Sequence, residues 1–209
     1  MGNKNLNLIL KDFANNYYSD VKHDTFSVFI ERITHLTLAE GVIGFMTPVT
    51  WMFLSSYEKL RTLVLQRCTI TSLIRPEYNA FWASAHVPIC SFTLRNKFIS
   101  DYRGTFVDLS EFYGADLQPV KTLEAIDNPN CGYLYHAKAS DFGKIPGSPI
   151  SYWLSDKFKE FLHHHHSMAD SNFTPATGLQ TGGNPEFIRL WHEVSQLQKS
   201  QTRSPHPKL

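Results

Sequence analysis

The 209-residue chain lacks an apolar run near the roughly 20 residues that a bilayer-crossing helix requires. Its opening residues, Met1-Gly2-Asn3-Lys4-Asn5, are polar and lead into no signal-peptide core. No membrane partner is expected from this. The chain also lacks paired cysteines. Cys68, Cys90 and Cys131 are isolated and odd in number, which excludes a zinc ribbon of Cys-x-x-Cys pairs and suggests no disulfide framework. Three buried or half-buried thiols in a reducing cytoplasm are expected instead. A charge excess is missing too: 20 Lys and Arg stand against 19 Asp and Glu, a net charge of +1. No strong field therefore points to nucleic acid, although a neutral total is compatible with a local basic face. There is no internal repeat.

What is present is ordinary for a globular protein. Hydrophobic residues make up 42% and charged residues 19%. The length suffices for one domain and the start of another. The first 22 residues read as a short helix and loop. Phe26, Phe29, Ile30, Ile33 and Leu36 then fall at helical spacing, with Asp24 as N-cap and Gly41 as the stop. Residues 42–46 are apolar on both faces and end at Thr47-Pro48, the pattern of a strand buried inside a parallel sheet. Ser55-Ser56-Tyr57-Glu58 is a capping-box pattern opening a helix to about residue 66. Residues 69–74, 87–95 and 105–109 read as further strands. The last two have no helix between them, which predicts an antiparallel element. Beyond Gly114 the periodicity weakens. Asn128-Pro129-Asn130 signals a turn, and residues 185–197 return to helical spacing.

Specific strings carry a family resemblance. Phe29-Ile30-Glu31-Arg32, then Gly41-Val42-Ile43-Gly44-Phe45-Met46-Thr47-Pro48, then Trp51-Met52-Phe53-Leu54-Ser55-Ser56-Tyr57-Glu58-Lys59-Leu60-Arg61 resemble the middle of large adenine-specific DNA methyltransferases of the bacteriophage-exclusion type. Lys144-Ile145-Pro146-Gly147-Ser148-Pro149-Ile150-Ser151-Tyr152-Trp153 resembles the start of their target-recognition region. Gly178-Leu179-Gln180-Thr181-Gly182 and Phe187-Ile188-Arg189-Leu190-Trp191-His192-Glu193-Val194 do so too. The blocks follow the family's order.

The resemblance implies an α/β fold: the second half of a Rossmann-like S-adenosylmethionine-dependent methyltransferase sheet, followed by a mixed or irregular segment. It assigns residues 1–113 to the catalytic domain and 114–198 to the target-recognition region. Residues 199–209 read as a disordered tail. It implies S-adenosylmethionine as cofactor and duplex DNA as substrate, in phage defence or restriction-modification. Such enzymes use a glycine-rich loop at the cofactor and an Asn-Pro-Pro-Tyr motif that holds the flipped adenine. The sequence contains neither; its nearest string, Asp127-Asn128-Pro129-Asn130, lacks the second proline and the aromatic. In the family the segment resembling Met1-Gly2-Asn3-Lys4 follows that motif. The expectation is therefore a chain with no catalytic residue of its own, partnered by a missing N-terminal half or other phage-exclusion subunits. Without the neighbouring strand, residues 42–46 would present an apolar edge with unpaired N–H and C=O groups. A non-catalytic DNA- or protein-binding remnant of such an enzyme is the competing reading.

The candidate site residues carry alternatives. By resemblance Asp24 and Phe26 wall the cofactor pocket; by pattern they are an N-cap and a core aromatic. Thr47 and Pro48 end a strand where α/β sheets bind ligands, and equally form a plain turn. Phe81, or its neighbour Trp82, falls near the aromatic that stacks on the flipped base in related enzymes, and otherwise covers the core. Gln180 and Arg189 suit base edges or phosphate, beside the reading of a Gly-rich loop before a helix. Gly183 stands where the family resemblance leads us to expect an acidic residue. The run His163-His164-His165-His166 reads as solvated low-complexity sequence, not a metal site.

Overall fold

A computed structural model describes residues 6–78, 80 and 87–164. The first helix, α1 (Leu8–Tyr17), is capped by Asn7, whose Oδ1 accepts from Leu10 N at 2.9 Å. Asp24 caps α2 (Thr25–Leu36) in a capping box. Its carboxylate accepts from Phe26 N, and the Ser27 hydroxyl accepts from Asp24 N. Ile30 buries the inner face of α2, but Phe29 and Leu36 of the expected stripe are exposed. The helix stops at Leu36, before Gly41, because another side chain closes it. Asn96 Nδ2 donates to Thr34 O at 2.9 Å and Thr37 O at 2.8 Å. Glu40 then takes the left-handed region at φ 66 and meets Lys97 and Arg95. Lys97 first, then Arg95, hold its carboxyl below the usual range. That contribution is present at neutral pH and lost as pH falls through the depressed value.

Five strands form one sheet: β1 (Val42–Pro48), β2 (Thr69–Arg75), β3 (Ile89–Arg95), β4 (Arg103–Asp108) and β5 (Leu134–Lys138), in the order β1-β3-β2-β4-β5. β3 is antiparallel to both β1 and β2, β2 is parallel to β4, and β5 is antiparallel to β4. The expected antiparallel element is therefore β3, inserted between β1 and β2. Gly104 is required where β4 starts, since a Cβ there would lie 2.4 Å from Ile70 O. Helix α4 (Leu117–Asp127) precedes β5. Short α5 (Ala139–Gly143) and α6 (Asp156–His164) follow it. The expected boundary after residue 113 falls inside this sheet, because β5 pairs with β4.

Two expectations are corrected. β1 is not buried on both faces within a parallel sheet. It is the edge strand expected without its neighbour, but its one partner is antiparallel and it alternates: Ile43 and Thr47 point inward while Val42 and Met46 are exposed. Ser55 does not cap the next helix. Residues Ser55–Tyr57 form a 3-10 turn, and α3 (Glu58–Arg67) begins after it without a side-chain cap. The open edge of β1 has a testable consequence. Met46→Lys places a charge there and is expected to reduce self-association in sedimentation velocity, shifting thermal stability little. Unchanged association would show that this edge is not the sticky surface.

The main core lies on one face of the sheet. Trp51, Met52, Leu60 and Val64 pack over Leu73, Phe92, Leu94 and Phe106, with Phe142, Ile150 and Tyr152 completing it. Each such side chain contributes about 1.5–3 kcal/mol when fully buried. A smaller cluster of Val107, Leu109 and Ala125 holds α4 on the other face. Burial pushes the Cys90 thiol up to about 11 and also raises Cys68, whereas Cys131 is partly accessible. Alkylation of the native chain at pH 8 should therefore modify Cys131 and spare the other two until unfolding, as read by peptide mass spectrometry. Rapid native labelling of Cys90 would contradict this packing.

Candidate functional site

Strands β1, β2 and β4 run in one direction, so Pro48, Arg75 and Asp108 end on one side of the sheet. Carboxyl ends of parallel strands are where open α/β sheets gather ligands. Arg75 and Asp108 are register partners, and Arg75 Nη1 lies 3.5 Å from Asp108 Oδ2. The carboxylate is further fixed. Oδ1 accepts from Ser110 N at 3.1 Å, and Oδ2 accepts from the Tyr152 hydroxyl at 2.9 Å. Tyr152 is buried and stacked on Phe106 at 4.9 Å. Burial, then the Asp108 charge, raises its pKa far above the usual tyrosine range, so it stays a neutral donor.

Above this anchor, Trp153 meets Tyr152 edge-on at 5.0 Å and Phe53 at 5.6 Å. The Arg75 guanidinium lies 6.0 Å from the Phe53 ring centroid. On the other face, Ile74, Pro76, Leu109 and Gln118 help line a cavity of about 430 Å³. Gln118 is committed within the chain: Oε1 accepts from Glu77 N, and Nε2 donates to Phe112 O and Gly114 O. The cavity is thus mainly apolar.

Of the residues singled out from sequence, Asp24 caps α2. Phe26 packs on Tyr57 at 5.3 Å. Thr47 is buried, with its hydroxyl 3.9 Å from Cys90 Sγ; Pro48 is half-buried at the strand end. The structure brings Thr47 and Pro48 to the same side of the sheet as Arg75 and Asp108, with β3 between them. Phe81, Trp82, Gln180 and Arg189 lie outside the described residues. Sequence reasoning missed Arg75, Asp108, Phe53 and the pairing of Tyr152 with Asp108. The available signal was an arginine directly after one predicted strand and an aspartate one residue before the end of another. Among the described residues no group of His, Cys, Asp or Glu could hold a metal ion, and no helix is long and apolar enough to cross a membrane.

The architecture is a Rossmann-like α/β fold shared with solved methyltransferase subunits of restriction-modification systems. The methyltransferase subunit of a type I restriction-modification system from Streptococcus thermophilus superposes with a TM-score of 0.51 at 16% identity, covering 68% of this chain and 33% of that one. A structure from a study of type I restriction-modification assembly gives a TM-score of 0.51 at 10% identity, covering 71% and 35%.

Sequence comparison is more specific. The family model described as Eco57I restriction-modification methylase matches residues 1–81. Adenine-specific methyltransferase PglX of Lacticaseibacillus casei (strain Zhang) is 33% identical over 208 residues, 99% of this chain and 17% of that protein. Adenine-specific methyltransferase BrxX of Escherichia coli O9:H4 (strain HS) is 31% identical over 199 residues, 93% of this chain and 16% of that protein. The chain is a sequence relative of the PglX-type adenine-specific methyltransferases, as its ordered motifs implied, and spans about a sixth of their length.

Proposed function

We propose that this chain forms part of the substrate side of a site-specific adenine DNA methyltransferase in phage defence or restriction-modification. The observation that carries the reading is the 33% identity to PglX along 99% of the chain. The reaction is methyl transfer from S-adenosylmethionine to the exocyclic amino group of adenine. The cofactor supplies an electrophilic methyl group when bound.

The described residues do not fit that cofactor by themselves. The Asp24 carboxylate is engaged by Phe26 N and the Thr25 hydroxyl, and Phe26 is held against Tyr57. The 209 residues contain no Asn-Pro-Pro-Tyr string. No chemical step is therefore assigned to these side chains. Their part is orientation: a rigid strand-end wall that receives DNA, where alignment of the amino group with the methyl carbon supplies most of the rate.

The discriminating measurement pairs two titrations on the 209-residue chain. Duplex DNA should bind with strong salt dependence, and S-adenosylmethionine should show no heat of binding in calorimetry. Tight cofactor binding with methyl transfer by this chain alone would refute the division of labour. DNA binding that persists, with no activity on any complementation, would favour the non-catalytic remnant.

A further inference from the structure

We infer that Arg75, Phe53 and Trp153 grip one strand of the substrate DNA, with Arg75 on a phosphate and Trp153 against a base. This rests on the methyltransferase reading above and names the residues through which the strand is held.

The two ends of the grip are positioned by the same anchor. Asp108 holds Arg75 through one contact of 3.5 Å, longer than the roughly 2.7–2.9 Å of a tight charge-assisted hydrogen bond. Both Asp108 oxygens already accept from Ser110 N and Tyr152. Asp108 and the Tyr152 hydroxyl therefore orient Arg75 without engaging its whole fork of five N–H groups. The Arg75 side chain remains 32% exposed.

Trp153 is 39% exposed but has a fixed footing, because it stands on Tyr152, which is buried, stacked and hydrogen-bonded. Phe53 adjoins both the cation and the indole, its ring 6.0 Å from the first and 5.6 Å from the second. The result is a strip of cation, ring and ring on the carboxyl side of the parallel strands. A polynucleotide presents the complement, an anionic phosphate beside a flat π-face. A protein partner would be met by such a strip as well, but it has no reason to give the salt dependence that phosphate contact demands.

The test uses the full 209-residue chain and a fluorescein-labelled 15-nucleotide DNA, single-stranded and in duplex, by anisotropy across a salt series. Trp153→Leu should weaken binding about 5- to 50-fold, within the range for loss of base stacking, and Trp153→Phe should restore most of it. Arg75→Gln should lower the slope of log affinity against log salt by about one. In the unmutated chain, photo-crosslinking to 5-iodouracil DNA should map to the peptide containing Trp153, which keeps the test independent of variant folding. If both variants keep wild-type melting and bind within twofold with the same slope, or if crosslinks map only elsewhere, the grip is wrong while the methyltransferase reading stands. No salt-sensitive binding of the unmutated chain to either DNA would overturn both.

Discussion

Arg61→Leu is expected to remove about 3–5 kcal/mol of stability, the largest effect of any single substitution considered for this chain. The arginine is 1% exposed. Its Nε and Nη2 donate to Gly147 O at 2.9 and 2.7 Å, and Nη1 donates to Trp51 O at 2.9 Å and Leu54 O at 2.7 Å. It thereby ties α3 to the turn after β1 and to the segment that carries Ile150 and Tyr152 into the core. Leucine fills part of the volume but satisfies none of those three carbonyls, and each unmet buried acceptor costs about 1–3 kcal/mol. Lysine would keep the charge but not the fork, so Arg61→Lys should rescue little. Urea denaturation followed by circular dichroism measures this; a loss below about 1 kcal/mol would mean that solvent replaces the arginine.

Asp108→Ala is expected to cost about 2–4 kcal/mol, second to Arg61. It takes the acceptor from the buried Tyr152 hydroxyl and from Ser110 N, and removes the carboxylate that faces Arg75. The same contact predicts an alkaline signature. The folded pKa of Tyr152 lies above its unfolded value of 10.0. The unfolded chain therefore releases this proton first as pH rises. The stability held by the protonated hydroxyl is complete below about pH 10 and is lost as pH climbs toward the folded value. Tyr152→Phe removes this titration. It should be less stable than wild type at pH 8, with the gap narrowing above pH 10. A gap independent of pH would contradict the assignment.

The parts legible in the sequence were those governed by local chemistry. The Asp24 cap, the turn at Asn128-Pro129-Asn130 and the strands β1 to β4 follow from capping atoms, turn residues and apolar runs. Pairing was not legible. That β3 enters between β1 and β2 is a long-range choice, and it gives residues 42–46 an antiparallel partner, while their other side is the open edge expected without a neighbouring strand. Helix α4 went unread although Leu117, Val120, Leu123 and Ile126 recur every third residue, an apolar row that the folded chain leaves exposed. The strand-end cluster was invisible for the same reason as the pairing. Arg75, Asp108 and Tyr152 are brought together only by a parallel register between β2 and β4 and by the strap that Arg61 fastens. The family resemblance crossed this gap because it reads ordered motifs, not contacts.

The most direct test of the methyltransferase reading is a graft. The segment of L. casei PglX that aligns with this chain is replaced by the 209 residues, and adenine methylation of host DNA is measured by mass spectrometry of nucleosides. N6-methyladenine is expected above the level of a host carrying PglX with the segment deleted. A chimera that folds and binds S-adenosylmethionine as PglX does, yet leaves adenine unmethylated, would contradict the reading.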